Sequence, residues 1–166
     1  MTAAWSPLAT VTLGSNTPTI TFGSIPQGYR DLILTVGNLK STGSGTTLYA
    51  YFNGDTATNY EYLIVGGQGS TKLGVKSTTQ PGIFFGAAQV GLPTTGACTA
   101  TLQIFEYSST NKLKSCLSRH DSVNEIDMAS TRYRSTNPIT SITAYITGGA
   151  SYAAGTTLSL YGSNRL

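Results

Sequence analysis

The chain has 166 residues, only 10% of them charged, and a net charge of +3. That length suits one domain with a sizeable core, and the small, scattered basic excess excludes a nucleic-acid footprint. Two cysteines and one histidine cannot supply a zinc cluster, and no apolar run approaches the roughly 20 residues that span a bilayer.

Hydroxyls take the place of charges, with 18 Ser and 27 Thr in the chain. Disorder is argued against by the 39% of hydrophobic residues, ten Tyr among them. A surface of hydroxyls loses little when buried against a neighbour, because few ions need desolvation. The composition therefore points to an assembled protein. The start, MTAAWSPLATVTLGS, has neither a basic n-region nor an apolar core of signal-peptide length, so an intracellular site of synthesis is expected.

Period-2 alternation runs through the chain and predicts strands. Val11 and Leu13 alternate with Thr10 and Thr12, and Ile20 and Phe22 with Thr19 and Thr21. Gly14–Pro18 separates these two runs. After the Pro26-Gln27-Gly28 turn, Leu32, Leu34 and Val36 share a face. The hairpin-sized stretch Ser41–Gly45 leads to Leu48, Ala50 and Phe52, with Tyr49 and Tyr51 on the opposite face. Residues 66–82 are poor in apolar side chains and rich in breakers. They read as a long surface loop with one short strand at Lys72–Lys76.

Ala100, Leu102 and Ile104 form the next apolar face, and Ser108–Asn111 turns the chain into KLKSCLSR. Setting Tyr107 opposite Lys112 places Leu102 against Leu117 and Cys116 against Gln103, which brings apolar residues together. Cys98 then faces Asp121, and the two thiols lie too far apart along the hairpin for a disulfide. Ile142, Ala144 and Ile146, then Leu158 and Leu160, complete the pattern. One domain over 1–166 is expected, an all-β, antiparallel two-sheet β-sandwich of jelly-roll-like form, with a barrel as the alternative.

Candidate chemistry is sparse. Cys116 and His120 share a strand face but stand about 13 Å apart, too far for a thiolate–imidazole pair. Gly66–Lys72 lacks the Gly-Lys-Ser/Thr ending of a phosphate loop. Asn53-Gly54-Asp55 fails as a calcium loop, with Thr58 where Gly is needed and Ile64 where Glu is needed. A looser calcium site from Asp55, Asn59 and Glu61 stays open. The seven acids select no general acid–base pair by their spacing. No cofactor is expected. Tyr49, Tyr51, Phe105 and Tyr145 lie opposite their strands' aliphatic residues, where they pack a second sheet, line a subunit interface or stack on sugars.

Several segments together carry a resemblance. They are Trp5–Ser15, Ile20–Leu34, Tyr51–Asp55 with Asn59-Tyr60, Ile104–Tyr107, Lys112–Lys114, Ile139–Ile142 and Ala154–Gly162. In this order they resemble a family of small virion structural proteins of tailed bacteriophages. The resemblance implies a jelly-roll sandwich used as a capsid decoration (cement) protein, or as a knob or fibre component. It implies self-association, often as a homotrimer, contact with the major capsid protein or another virion protein, and a virion location after synthesis in the host cytoplasm. Ser130–Ser135 stands where family members often carry a Gly-Arg-Trp-type segment, so Arg132 and Arg134 are expected to make contacts of their own. Residues 1–7, with Trp5, are a candidate anchor to the capsid or a neighbour, or Trp5 caps the core. A fibre-tip domain binding a host glycan is the alternative, and a glycan hydrolase comes third.

Overall fold

In the computed structural model, residues 4–164 are described. The strands are β1 (Trp5–Thr12), β2 (Thr19–Phe22), β3 (Asp31–Leu39), β4 (Leu48–Phe52), β5 (Tyr60–Gln68) and β6 (Thr71–Gln80). They continue with β7 (Ile83–Gly86), β8 (Cys98–Phe105), β9 (Lys114–Asp121), β10 (Glu125–Tyr133), β11 (Ile142–Ile146) and β12 (Thr157–Ser163). One sheet has eight strands in the order β1-β12-β3-β8-β9-β10-β5-β6, and the other has four, β2-β11-β4-β7. Both sheets end in free edges, so the architecture is an antiparallel β-sandwich and not a closed barrel.

The core forms where the alternating apolar faces meet. Leu32, Leu34 and Val36 of β3, Leu102 and Ile104 of β8, and Leu158 and Leu160 of β12 are all buried. Facing them, Ile20, Phe22, Ala50, Phe52, Ile142 and Ala144 come from the small sheet and belong to the same cluster. Fully burying one such side chain contributes about 1.5–3 kcal/mol. β7 is packed on both faces. Ile83 and Phe85 enter this core, while Phe84 turns the other way onto Ile64 and Ala129. The far end of the large sheet thus curls past the edge of the small one and covers its rim.

Three connections depart from the sequence reading. Ser41–Gly45 is no hairpin, because β3 and β4 lie in different sheets and the segment crosses between them. Residues 66–82 are not a long loop. They continue β5 and contain the whole of β6, the two joined by Gly69-Ser70 with Gly69 at φ 55°, and β6 extends the short strand expected at Lys72–Lys76 in both directions. An edge strand needs backbone pairing more than apolar side chains, and only Leu73 of β6 adds packing to the cluster around Phe84. The β8–β9 register also differs by one residue. Leu102 pairs with Ser118, Gln103 with Leu117 and Ile104 with Cys116.

Candidate interaction face

The register shift has a chemical cause, which is that β9 and β10 are folded against their own hydrophobicity. In β9 the inward residues are Lys114, Cys116, Ser118 and His120, and Leu117 points out. In β10 the inward residues include Glu125 and Asp127, while Ile126 and Met128 are exposed. A slip of one residue would reverse every side chain. It would bury Ile126 and Met128 and release two acids to water, so something specific must hold the observed register.

That something is the segment after β7. Four consecutive amides donate to inward side chains of β9 and β10. Ala87 N–H reaches His120 Nδ1 at 3.2 Å, and Ala88 N–H reaches Asp127 Oδ2 at 3.1 Å. Gln89 and Val90 N–H reach the two oxygens of Glu125 at 2.6 and 3.0 Å. Buried amides and buried carboxylates each need a partner, and here each supplies the other's. Two glycines make room. A Cβ on Gly86 would lie 3.1 Å from the His120 ring, and one on Gly66 would lie 2.9 Å from Asp127 Cβ.

The exposed side of the same strands is consequently apolar. Leu63 and Val65 of β5, Ile126 and Met128 of β10, and Leu117 of β9 all lie on it, with Ile126 68% exposed. Cross-strand pairing makes them contiguous. Val65 is opposite Met128, and Ser130 lies between Leu63 and Leu117. Exposed aliphatics gathered in one patch with a polar rim are a feature of contact sites on soluble proteins. Lys72 and Lys76 border it on β6, and Arg119 and Asp121 border it on β9. Lys72, Lys76 and Arg119 form no ion pair among the described residues. A shallow depression of about 490 Å³ runs along this face, between Val65, Thr101, Arg119, Ile126 and Met128.

The residues expected at an interface fall in three places. Tyr49, Tyr51 and Tyr145 do lie together, on the outer face of the small sheet. The Tyr145 ring is 5.9 Å from Tyr49 and 5.7 Å from Tyr51, and Tyr49 meets Phe84 edge-on. Burial pushes the hydroxyl pKa values of Tyr49 and Tyr145 above the ordinary tyrosine range. Phe105 and Arg132 lie on the outer face of the large sheet, beyond the apolar patch. Trp5 lies in edge strand β1 of the large sheet, opposite Ser163 and three strands from β8. Of the proposed anchor, residues 1–3 lie outside the described residues. Trp5–Pro7 opens β1, where Trp5 is 39% exposed and does not cap the core.

Asp55, Asn59 and Glu61 do not converge on a common ligand position. Asn53 and Gly54 both have positive φ (54° and 72°), and Asp55 N–H donates to Phe52 O at 2.9 Å, a tight type I′ geometry. Asp55 then points into its own loop and accepts from Ala57 N–H, Asn59 Nδ2 and Tyr133 Oη at 2.9–3.0 Å. Burial alone would push its pKa up. The bonds from Asn59, Ala57 and Tyr133 outweigh that, and the net direction is down. Glu61 is committed elsewhere, to Arg132 and to Arg134 Nη2 at 3.0 Å, and these bonds lower its pKa. Arg132 and Arg134 thus share one intrachain carboxylate.

The same holds for the remaining acids. Asp31 accepts from Glu106 N–H at 2.8 Å, Glu106 pairs with Lys112, and Asp121 accepts from the Thr99 hydroxyl. Each of the seven carboxyl side chains therefore meets a donor of the chain itself. Among the described residues no group of three His, Cys, Asp or Glu side chains is arranged to hold a metal ion. Cys98 and Cys116 are buried free thiols, and burial pushes both up to about 12.

The apolar patch itself escaped the sequence reading, which set Leu117 against Leu102 of the core and read residues 66–82 as a loop with one short strand at Lys72–Lys76. The one available signal was the pattern E-I-D-M-A in β10, where a strand's only bulky aliphatics alternate with acids.

No family model and no curated protein matches this chain. Among solved structures it is similar to a scytalido-glutamic peptidase with a transition state analog inhibitor, at 11% identity over 87% of this chain and 75% of that one, with a TM-score of 0.34. It is also similar to the alginate lyase Aly36B, at 10% identity over 95% of this chain and 79% of that one, with a TM-score of 0.38. Similarity at this level bears on neither reaction nor ligand.

Proposed function

We propose that this chain is a structural subunit of a virus particle, a bacteriophage virion protein that decorates the assembled head and stabilises it. The observation that carries the reading is the reversed polarity of β9 and β10. The chain buries Glu125, His120 and Asp127 and displays Leu117, Ile126 and Met128. Displaying aliphatics while burying acids works against solubility, and is compensated when a protein surface covers them. Such a subunit acts through buried area. By binding the assembled shell and not its free parts, it shifts the assembly equilibrium by mass action. The virion location, the jelly-roll wiring and a trimeric state come from the sequence resemblance and belong to the same proposal.

Electron microscopy of particles carrying the chain, with labelled antibody, tests the location. Many copies spread over the head support the reading, and a few copies confined to the tail overturn it. The aromatic row Tyr51–Tyr145–Tyr49 favours a second reading, a fibre domain that stacks host glycans on exposed rings. Saturable polysaccharide binding lost on Tyr145→Ala would favour that reading over the first.

A further inference from the structure

We propose that the apolar face of β5 and β10 pairs with the same face of a second copy, about a two-fold axis running parallel to the strands between β5 and β10. The inference rests on the reading that this face docks a protein, and not on which particle carries it.

The outward residues form rows across the sheet, fixed by the strand register. One row reads Lys72, Gly67, Ile126, Asp121 across β6, β5, β10 and β9. The next reads Gly74, Val65, Met128, Arg119, and the third reads Lys76, Leu63, Ser130, Leu117. A two-fold axis along the strands lays each β10 residue over the partner's β5 residue in the same row, and each β6 residue over the partner's β9 residue. Every contact then occurs twice.

Shape and charge both fit this arrangement. Ile126, the most protruding aliphatic on the face, comes to lie over Gly67, which has no side chain. Met128 covers Val65. Lys72, which forms no ion pair among the described residues, comes to lie over Asp121, an acid on the border of the patch. Packed sheets prefer strand directions within about 30° of one another, as this axis provides. A two-fold axis across the strands would instead bring Lys72 onto Lys76 and Arg119 onto itself. Like charges in register disfavour that alternative, so the charges select the axis. The contact is separate from any three-fold one, since a trimer built on another surface would still present this face.

Sedimentation velocity and light scattering of the purified full chain test the proposal. The expected species holds an even number of chains, and Ile126→Glu halves its mass while leaving circular dichroism and melting temperature unchanged. Lys72→Glu is expected to weaken the pairing about 10-fold at low salt, and adding Asp121→Lys to restore it. A monomer at micromolar concentration, an odd-numbered species, or a mass insensitive to Ile126→Glu would overturn the pairing. So would failure of the charge exchange to rescue. A chain that is monomeric in solution yet spread over the head would overturn the pairing and leave the virion reading standing.

Discussion

Nδ1 of His120 lies 3.3 Å from Oδ2 of Asp127, with both side chains sealed from solvent between β9, β10 and the segment after β7. The same Nδ1 accepts the Ala87 amide, and one nitrogen cannot accept that proton while donating its own to Asp127. The two residues therefore act less as an isolated ion pair than as part of one acceptor row, completed by Glu125, for the amides of residues 87–90.

Glu125 carries the larger share of that row, so its removal gives the first prediction. Glu125→Ala leaves the part-buried Gln89 and Val90 amides without their acceptor, at a cost of about 2 kcal/mol. Urea unfolding should report that loss, and hydrogen exchange should report faster exchange localised to residues 87–90. Unchanged exchange there would mean that the clamp does not hold the segment.

The thiols give the second. Cys98 and Cys116 are both buried, with pKa values pushed up to about 12. The thiolate is the reactive form, so neither should react with a disulfide reagent at pH 8 in the folded chain. Two equivalents should react in denaturant. One fast-reacting thiol under native conditions would contradict the packing around it.

The sandwich and most of its strands were legible in the sequence because Thr alternates so regularly with Val, Ile and Leu. The free state of Cys98 and Cys116 was legible too, although the register that suggested it was shifted by one residue. That error is instructive. Leu117 was placed against Leu102 because aliphatics ordinarily seek each other, whereas Ser118 occupies that position and donates to Phe84 O at 3.2 Å. The competing force was a set of polar contacts from residues far away in sequence, which no local pattern contains. β6 was read only as a short strand at Lys72–Lys76 for a related reason, since its ladder with β5 is a backbone property. The site was least legible. Of Tyr49, Tyr51, Phe105 and Tyr145, the three tyrosines lie together and Phe105 lies on the other sheet, and the apolar face exists only because the clamp turns β10 around.

A third prediction concerns acid. Asp55 and Glu61 both have lowered pKa values, the first through Asn59, Ala57 and Tyr133 against the opposing effect of burial, the second through Arg132 and Arg134. A carboxyl with a folded pKa below its unfolded value stabilises the fold above the unfolded value of about 4. That contribution is lost as the pH falls through the folded value. Melting temperature should hold steady through neutral pH and fall below about pH 4. Asp55→Asn should flatten that acid limb and lower the neutral plateau, as a melting series across pH would record.

Lys114 supplies the last prediction. It is wholly buried, and its ammonium donates to Ser109 O, Lys112 O and Thr136 O at 2.7, 2.9 and 3.1 Å. Burial lowers its pKa, so the fold charges a desolvation penalty that three carbonyl bonds must offset. Three donors meet three acceptors, and each acceptor belongs to a connecting segment, two in the β8–β9 turn and one after β10. Lys114→Met matches the length of the side chain and removes the desolvation penalty, yet it leaves three carbonyls without a donor. At about 1–3 kcal/mol for an unmet buried group, the loss should exceed the gain and come to about 3 kcal/mol. For a chain of this size that lowers the melting temperature by about 10 °C. Lys112→Met is the control, because its pair with Glu106 is exposed and such pairs contribute at most about 1 kcal/mol. If the two variants melted together, the carbonyl cage would have no energetic role, and the turn around Ser109 would have to be held by its local bonds alone.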